Sequence, residues 1–358
     1  SKLPNVGTTI FTVMSSLAKE HNAINLSQGF PNFESDSKLI KLVNDAMKSG
    51  YNQYAPMMGS LELREAIADK FQNLYNSSYK PESEIVVTAG ATQAIFTIIS
   101  AFIKQNDEVI IFTPAYDCYK PSVELQGGKV IPVQLHYPDH KVDWSLVENK
   151  ISTKTKNMLT LEKITNNTDI IVLSDEVYEH MVFDGVKHQS ACLFTELKKR
   201  TFITASFGKT FHNTGWKMGY CCGPEELMIE FIKVHQFNVF AVNHPMQIAL
   251  AKYLEEPSHY NDLSSFYQQK RDLFLESISN SKFKFKPTQA TYFQTLEYTA
   301  ISDESDVDFA KRLTKENGIA SIPLSVFNEN HLDFKALRFC FAKTDKTLLQ
   351  AADILNKL

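Results

Sequence analysis

The chain has 358 residues, 43% hydrophobic and 22% charged, which is enough for a large core and suggests about two structural domains. Its 37 Lys and Arg stand against 41 Asp and Glu, a formal charge of −4 with no long block of either sign, so no nucleic-acid arm or acidic tail is expected. The five cysteines, Cys118, Cys192, Cys221, Cys222 and Cys340, form no C-x-x-C pair and no metal-ligand spacing, which fits a reducing compartment and leaves no metal site to expect. Residues 1–10 do not read as a signal peptide, and the most apolar run, 94–103, is too short to cross a bilayer. A soluble cytoplasmic protein without nucleic-acid or membrane partners is the expectation.

Short β-rich runs at 84–88, 108–112, 129–134, 169–174, 201–205 and 218–222 alternate with helical stretches. This alternation predicts an α/β fold with a mainly parallel sheet covered by helices. Ligands of such sheets sit beyond the carboxyl ends of the strands. Gly90 follows the first run, Asp175 the fourth, and Ser206 and Lys209 the fifth. From Met246 onward the pattern turns to long helices, with Leu263, Phe266, Tyr267, Leu273 and Phe274 spaced for one helical face. A small α+β unit follows, with strands at 291–296 and 336–341 and a final amphipathic helix at 346–358. One place breaks the order. A helical stretch at 144–150 runs through Ser152-Thr153-Lys154-Thr155-Lys156 into another at 158–164 with no strand between them. A strand and loop of roughly 10 to 15 residues would restore the alternation there.

Several residues at the strand ends carry chemistry. A lysine amine is a useful nucleophile only when neutral, and Lys209 follows a strand in a small-residue turn, with Lys217 nearby. Asp175 ends the apolar run Ile170-Ile171-Val172-Leu173, where a carboxylate needs a donor to offset desolvation; it reads as the partner of a protonated pyridine nitrogen or as a helix cap. Tyr178, three residues on, reads as a donor to a ring oxygen or as a core tyrosine. The segment Thr88-Ala89-Gly90-Ala91-Thr92-Gln93 opens a helix after a strand, so the amides of Ala91 and Thr92 can hold a dianion, with Ser206 and Lys217 adding a hydroxyl and a cation. Tyr116 can stack on an aromatic ring or simply pack. Arg338, alone in the apolar run Ala336-Leu337-Arg338-Phe339-Cys340-Phe341, suits bidentate capture of a carboxylate or a structural ion pair. Taken together, an amine, a carboxylate, a phenol and a phosphate cradle read as a site for pyridoxal 5′-phosphate. No H-E-x-x-H, G-x-S-x-G, P-loop or G-x-G-x-x-G motif competes with it.

These residues resemble a known family. Ile24-Asn25-Leu26-Ser27-Gln28-Gly29-Phe30-Pro31, Asn52-Gln53-Tyr54-Ala55-Pro56, Leu63-Arg64-Glu65-Ala66-Ile67, the segment from Ser174 to His180, the segment from Ser206 to Tyr220, and Ile322-Pro323-Leu324-Ser325-Val326-Phe327 are similar to the fold-type-I, class I/II pyridoxal-phosphate aminotransferases. The likeness is strongest to the kynurenine/glutamine group and its bacterial methionine aminotransferase members. It implies a large cofactor-binding domain at 36–245, with a mainly parallel mixed sheet, and a small α+β domain made of 1–35 with 246–358. By the same likeness Lys209 is the Schiff-base lysine, Asp175 the partner of the ring nitrogen, Tyr178 the donor to the ring oxygen, and Arg338 the receptor of the substrate carboxylate. Gly29 lies against the substrate, and Phe11, Tyr116 and Phe240 form an aromatic lining. Tyr54 reaches the phosphate of a neighbouring subunit in a homodimer with shared active sites. The implied reaction moves an amino group from methionine, an aromatic amino acid, glutamine or kynurenine to a 2-oxo acid. Cysteine-conjugate β-lysis on the same fold, or cofactor binding in a sensor without turnover, are the alternatives.

The sequence departs from the family pattern in three places. Lys217 stands where many relatives carry Arg, and Ser206-Phe207-Gly208-Lys209 replaces Ser-x-Ser-Lys. An Asn-Pro-x-x-Pro-type turn, whose Asn bonds the ring oxygen, is absent, and the break around Lys156 to Met158 reads as a segment left out there.

Overall fold

In a computed structural model the described residues are 2–4, 6–151 and 158–358. The expected gap next to Lys156 falls at 152–157 and lies outside them. Strand β1 (Ile24–Asn25) comes first, followed by β2 (Ile85–Thr88), β3 (Glu108–Thr113), β4 (Lys129–Gln134), β5 (Val172–Asp175), β6 (Thr201–Ser206) and β7 (Gly219–Cys222). The C-terminal third contributes β8 (Phe293–Glu297), β9 (Ile319–Ala320), β10 (Ile322–Pro323) and β11 (Ala336–Cys340). Eight of them agree with the sequence-predicted runs to within a few residues, whereas the two-residue strands β1, β9 and β10 have no predicted counterpart.

The central sheet has the order β2-β7-β6-β5, with β5 and β6 parallel and β7 antiparallel to both of its neighbours, so one strand of the four runs against the rest. Its middle strands are buried on both faces, which is why β6 reads Thr-Phe-Ile-Thr-Ala-Ser and β7 Gly-Tyr-Cys-Cys without strict alternation. Strands β3 and β4 form a separate parallel pair. Among the described residues no ladder joins β5 to β3, so the single sheet expected from the alternation is in two pieces. Both open edges face one apolar cluster beneath the helix Ala91–Phe102: Leu173 of β5 and Val109 of β3 pack against Ala91, Ile95, Ile99, Ile111 and Val123.

A second sheet, β10-β11-β8, is antiparallel throughout, while β1 pairs with β9. The largest apolar core joins these parts, since it holds Met14 and Leu26, Val87 and Phe207, and Phe339 and Leu348 in one cluster. The helix His244–Leu254, which straddles the expected domain boundary at 245/246, packs on the helices Ser37–Lys48 and Leu61–Tyr75. The final helix runs Asp345–Leu355, capped by the Thr344 hydroxyl.

Candidate active site

The carboxyl ends of β5 and β6 bring Asp175 and Ser206 to the same edge of the sheet: the parallel register sets Asp175 opposite Thr204, two residues before Ser206. Lys209 stands one turn beyond β6, in the short helix Phe207–Thr210 rather than in the open turn the sequence suggested. That turn is anchored by the Phe207 amide on the Met218 carbonyl at 3.0 Å and by the Phe207 ring against Tyr220. The Lys209 amine donates to the Gly29 carbonyl and to the Tyr292 hydroxyl, each at 2.9 Å. Burial pulls its pKa down to about 8, Lys217 and Arg338 push the same way, and Cys340 and Asp175 oppose them. An amine in that range is partly neutral at physiological pH, as a nucleophile or a proton carrier must be.

Asp175 accepts a hydrogen bond from the Tyr119 hydroxyl at 2.6 Å and one from the Val177 amide at 3.4 Å. Desolvation nevertheless raises its pKa, so these two donors do not fully offset burial, and a further cationic or N–H donor would bring it down. Tyr178 lies edge-on to Tyr292 at 5.1 Å and to Phe293 at 6.1 Å, and burial raises its pKa while Arg338 and Tyr292 oppose the rise.

The helix Ala91–Phe102 begins at Gly90, whose φ of +79° is open to glycine and strained for other residues, and no side chain caps it. Its first-turn amides are therefore available to an anion. The Lys217 ammonium lies beside this turn, 3.6 Å from where a Cβ on Gly90 would stand. Thr92 reaches the Tyr116 hydroxyl at 3.2 Å, and Tyr116 meets Tyr119 edge-on. The structure thus draws Ala91, Thr92, Tyr116 and Lys217 to one end of the pocket and leads through Tyr119 to Asp175.

At the other end, Arg338 projects from the central strand β11 of the antiparallel sheet. Register sets it opposite Thr295, so Phe293, two residues away on β8, is its diagonal neighbour on the same face. The guanidinium carbon lies 3.9 Å from the Phe293 ring centroid, 4.6 Å from that of Phe327 and 5.5 Å from that of Phe11. Its Nε is buried without a hydrogen-bond partner, and burial lowers its pKa. A cation enclosed by rings with an unmet donor calls for an anionic ligand, and this favours the carboxylate-receptor reading of Arg338 over the structural ion pair. Gly29 borders the same space: a Cβ there would stand 2.6 Å from the Phe293 ring and 3.2 Å from Tyr292.

Two predicted residues stand elsewhere. Tyr54 is 83% exposed and packs edge-on to Phe240 at 5.5 Å, and Phe237 close by in sequence is 86% exposed. Phe240 pairs with Tyr54 rather than with Phe11, which packs on Phe327 at 5.8 Å.

The family profile described as aminotransferase class I and II matches residues 21–355. The chain belongs to the class I and II aminotransferases. It is 44% identical to a methionine aminotransferase of Escherichia coli, over all of this chain and 98% of that protein, and 31% identical to a kynurenine–oxoglutarate transaminase of Dictyostelium discoideum, over 98% of this chain and 94% of that one. A solved Escherichia coli structure described as having a methionine aminotransferase function superposes with a TM-score of 0.95 at 43% identity, covering all of this chain and 99% of that one. The expected family, the type I fold and the transaminase class are thereby borne out. The alignment with the methionine aminotransferase extends over 377 positions against the 358 residues here, so that relative carries residues with no counterpart in this chain.

In this aminotransferase four residues around the candidate site are not among those the sequence singles out: Tyr119, Tyr292, Phe293 and Phe327. Tyr119 was within reach of inference, being three residues past Tyr116 at the start of the helix Tyr119–Leu125. Tyr292, Phe293 and Phe327 join Lys209 and Arg338 only through tertiary folding and leave no local signal.

Proposed function

We propose that the chain is a pyridoxal 5′-phosphate-dependent aminotransferase that takes the amino group of methionine, an aromatic amino acid, glutamine or kynurenine and passes it to a 2-oxo acid. The observation that carries this reading is the convergence of an amine at Lys209, a donor-poor carboxylate at Asp175 and an unpaired guanidinium at Arg338. The residues present fit the cofactor. The uncapped turn at Gly90, the amides of Ala91 and Thr92, the Ser206 hydroxyl and the Lys217 ammonium would hold its phosphate. Asp175 would meet its ring nitrogen, Tyr178 its ring oxygen, and Tyr116 its face. When bound, the cofactor supplies an aldehyde for exchange with the donor's amine and a ring that takes up the electron pair left when the α-proton departs.

The protein's own groups do the rest. Arg338 grips the α-carboxylate with two parallel N–H donors and so fixes which face of the α-carbon points at Lys209. The Lys209 amine takes the α-proton and returns it at the adjoining carbon, a task suited to a base whose pKa sits near ambient pH. Phe11, Phe293 and Phe327 exclude water from the carboxylate and present an apolar wall, which suits thioether and aromatic side chains better than a second carboxylate.

Homodimer formation belongs to the same reading. Tyr54, Phe237 and Phe240 are large aromatic side chains left open to solvent, as an interface with a second copy would require, and Tyr54 would then serve the neighbour's phosphate. The five cysteines are unpaired, in keeping with a reducing, cytoplasmic setting, and no helix of the described residues is long and apolar enough to cross a membrane. A segment left out around 156–158 would supply the missing Asn-Pro turn; the separation of β5 from β3 and the longer alignment support that view.

The test is a donor panel on the cofactor-loaded enzyme with a 2-oxo acid acceptor. Methionine, glutamine, phenylalanine or kynurenine should each outperform aspartate, and 2-oxo acid production confined to aspartate would refute the assignment of the apolar wall. Cofactor binding with no oxo acid from any donor would point to a sensor, and pyruvate from a cysteine conjugate without an acceptor to a lyase.

A further inference from the structure

Among the described residues no carboxylate holds the Lys209 amine. Its two hydrogen bonds run to the Gly29 carbonyl and the Tyr292 hydroxyl, and it lies 5.5 Å from the centroid of the Tyr292 ring. The Tyr292 hydroxyl donates in turn to the same Gly29 carbonyl, which closes a ring of three contacts between amine, phenol and carbonyl. Each member of that ring is fixed from behind. Tyr292 is fully buried, edge-on to Tyr178 at 5.1 Å and to Phe293 at 5.0 Å and tilted against Tyr267 at 5.8 Å. Its own carbonyl accepts from the Phe341 amide at 3.0 Å. The loop that carries Gly29 is tied down at the next residue, where the buried Lys343 amine donates to the Phe30 carbonyl at 2.7 Å and sits over the Phe30 ring.

We propose that Tyr292 is a positioning residue for the Lys209 amine, its phenol holding the amine beside the Gly29 carbonyl whenever the amine is free and setting how readily it gives up a proton. This rests on the reading of Lys209 as the amine that moves the α-proton. The chemistry follows from the two faces of a hydroxyl. Its oxygen accepts from the ammonium, and once the proton has gone its O–H can turn to the amine lone pair. The first contact is charge-assisted and the stronger of the two, so the phenol favours the charged amine, against the effect of burial. The other groups facing the amine are Asp175 and Cys340, which also favour the charged form, and Lys217 and Arg338, which oppose it; the Tyr178 hydroxyl bonds the Tyr292 hydroxyl itself. Fixing the amine at the Gly29 carbonyl also aims it, since Gly29 borders the space in front of Arg338.

The experiment is trace acylation of the full-length, cofactor-free protein by acetic anhydride across neutral to alkaline pH, with the Lys209 peptide followed by mass spectrometry. Tyr292→Phe keeps the ring and its packing and removes only the hydroxyl. It should shift the Lys209 titration downward by roughly half to one pH unit. In the cofactor-loaded enzyme it should lower kcat roughly tenfold with KM within about twofold, because the phenol touches the amine and not the substrate. Tyr267→Phe is the control. That ring packs on Tyr292 and its hydroxyl is buried with no hydrogen-bond partner, so a general loss of packing would show there too. An unmoved titration in Tyr292→Phe, or an equal shift in Tyr267→Phe, would overturn the proposal. Lys209→Ala is read separately: if it kept its turnover, the assignment of Lys209 itself would fail, whatever the Tyr292→Phe titration showed.

Discussion

Two aromatic groups in this chain are made of the same kinds of side chain and end in opposite states. Around Lys209 and Arg338, Tyr292 is fully buried, and Phe293 and Phe327 pack directly on the guanidinium. Tyr54, Phe237 and Phe240 instead lie open, Tyr54 and Phe240 touching each other, with Tyr54 and Phe237 more than 80% exposed. Rings are costly to leave in water, at about 25 cal/mol for each Å² of apolar surface. An exposed Tyr54–Phe240 pair, with the open Phe237 three residues before Phe240, is what the proposed interface would cover, whereas the rings around Arg338 are closed within a single chain. On the proposed reading, the contrast divides the site into a half that would do its chemistry in one subunit and a half that a second copy would finish.

The largest expected effect lies in the closed half. Lys209→Ala removes the amine proposed to carry the α-proton and to anchor the cofactor, so kcat should fall roughly ten-thousand-fold or more, while cofactor absorbance persists as a non-covalent complex. Steady-state turnover with methionine measures it, and near-normal turnover would remove the basis of the assignment. The open half should behave differently, because its loss can be repaired by another chain. Tyr54→Ala alone should lower activity through weaker cofactor binding. Mixed with Lys209→Ala under conditions of subunit exchange, it should restore roughly a quarter of wild-type activity, since half of the dimers are then mixed and each has one intact site. No recovery on mixing would mean that Tyr54 serves its own chain, and the comparison between the two halves would collapse.

How much of this was legible in the sequence depends on the distance along the chain over which each signal acts. Strand positions were readable because runs such as Ile-Val-Val-Thr and Thr-Phe-Ile-Thr-Ala-Ser are β-branched, apolar and bounded by turn residues. Lys209, Asp175 and Gly90 are readable because each ends a strand or follows one within three residues, where the topology of α/β sheets puts ligands. Arg338 was conspicuous as a lone charge in an apolar strand. Phe293, by contrast, is a routine β-sheet residue until the β8–β11 register makes it the diagonal neighbour of Arg338. Tyr292 is likewise ordinary until a loop from the other end of the chain brings Gly29 against it. The short helix at Lys209 reads as a turn in the sequence because four residues are too few to show helical periodicity. The reversed direction of β7 was also hidden, since β-rich runs do not reveal their sense.

The closed half should also reveal itself without any catalysis, through the stability of the cofactor-free protein. Lys209 has its pKa lowered from 10.5 to about 8 in the folded state, chiefly by burial. Below pH 8 folding must therefore bury a charged amine, and the penalty is fully present there. It shrinks as pH rises from 8 toward 10.5, and above 10.5 the amine is neutral in both states and the penalty is gone. Lys209→Met should accordingly stabilise the cofactor-free protein at neutral pH, by at most about 3 kcal/mol, with the Gly29 and Tyr292 hydrogen bonds reducing the gain. The gain should fade through the alkaline range. Urea midpoints for both proteins at neutral and strongly alkaline pH measure it. A gain that does not change with pH would mean that the methionine helps by packing alone and that the amine is not strained by its surroundings.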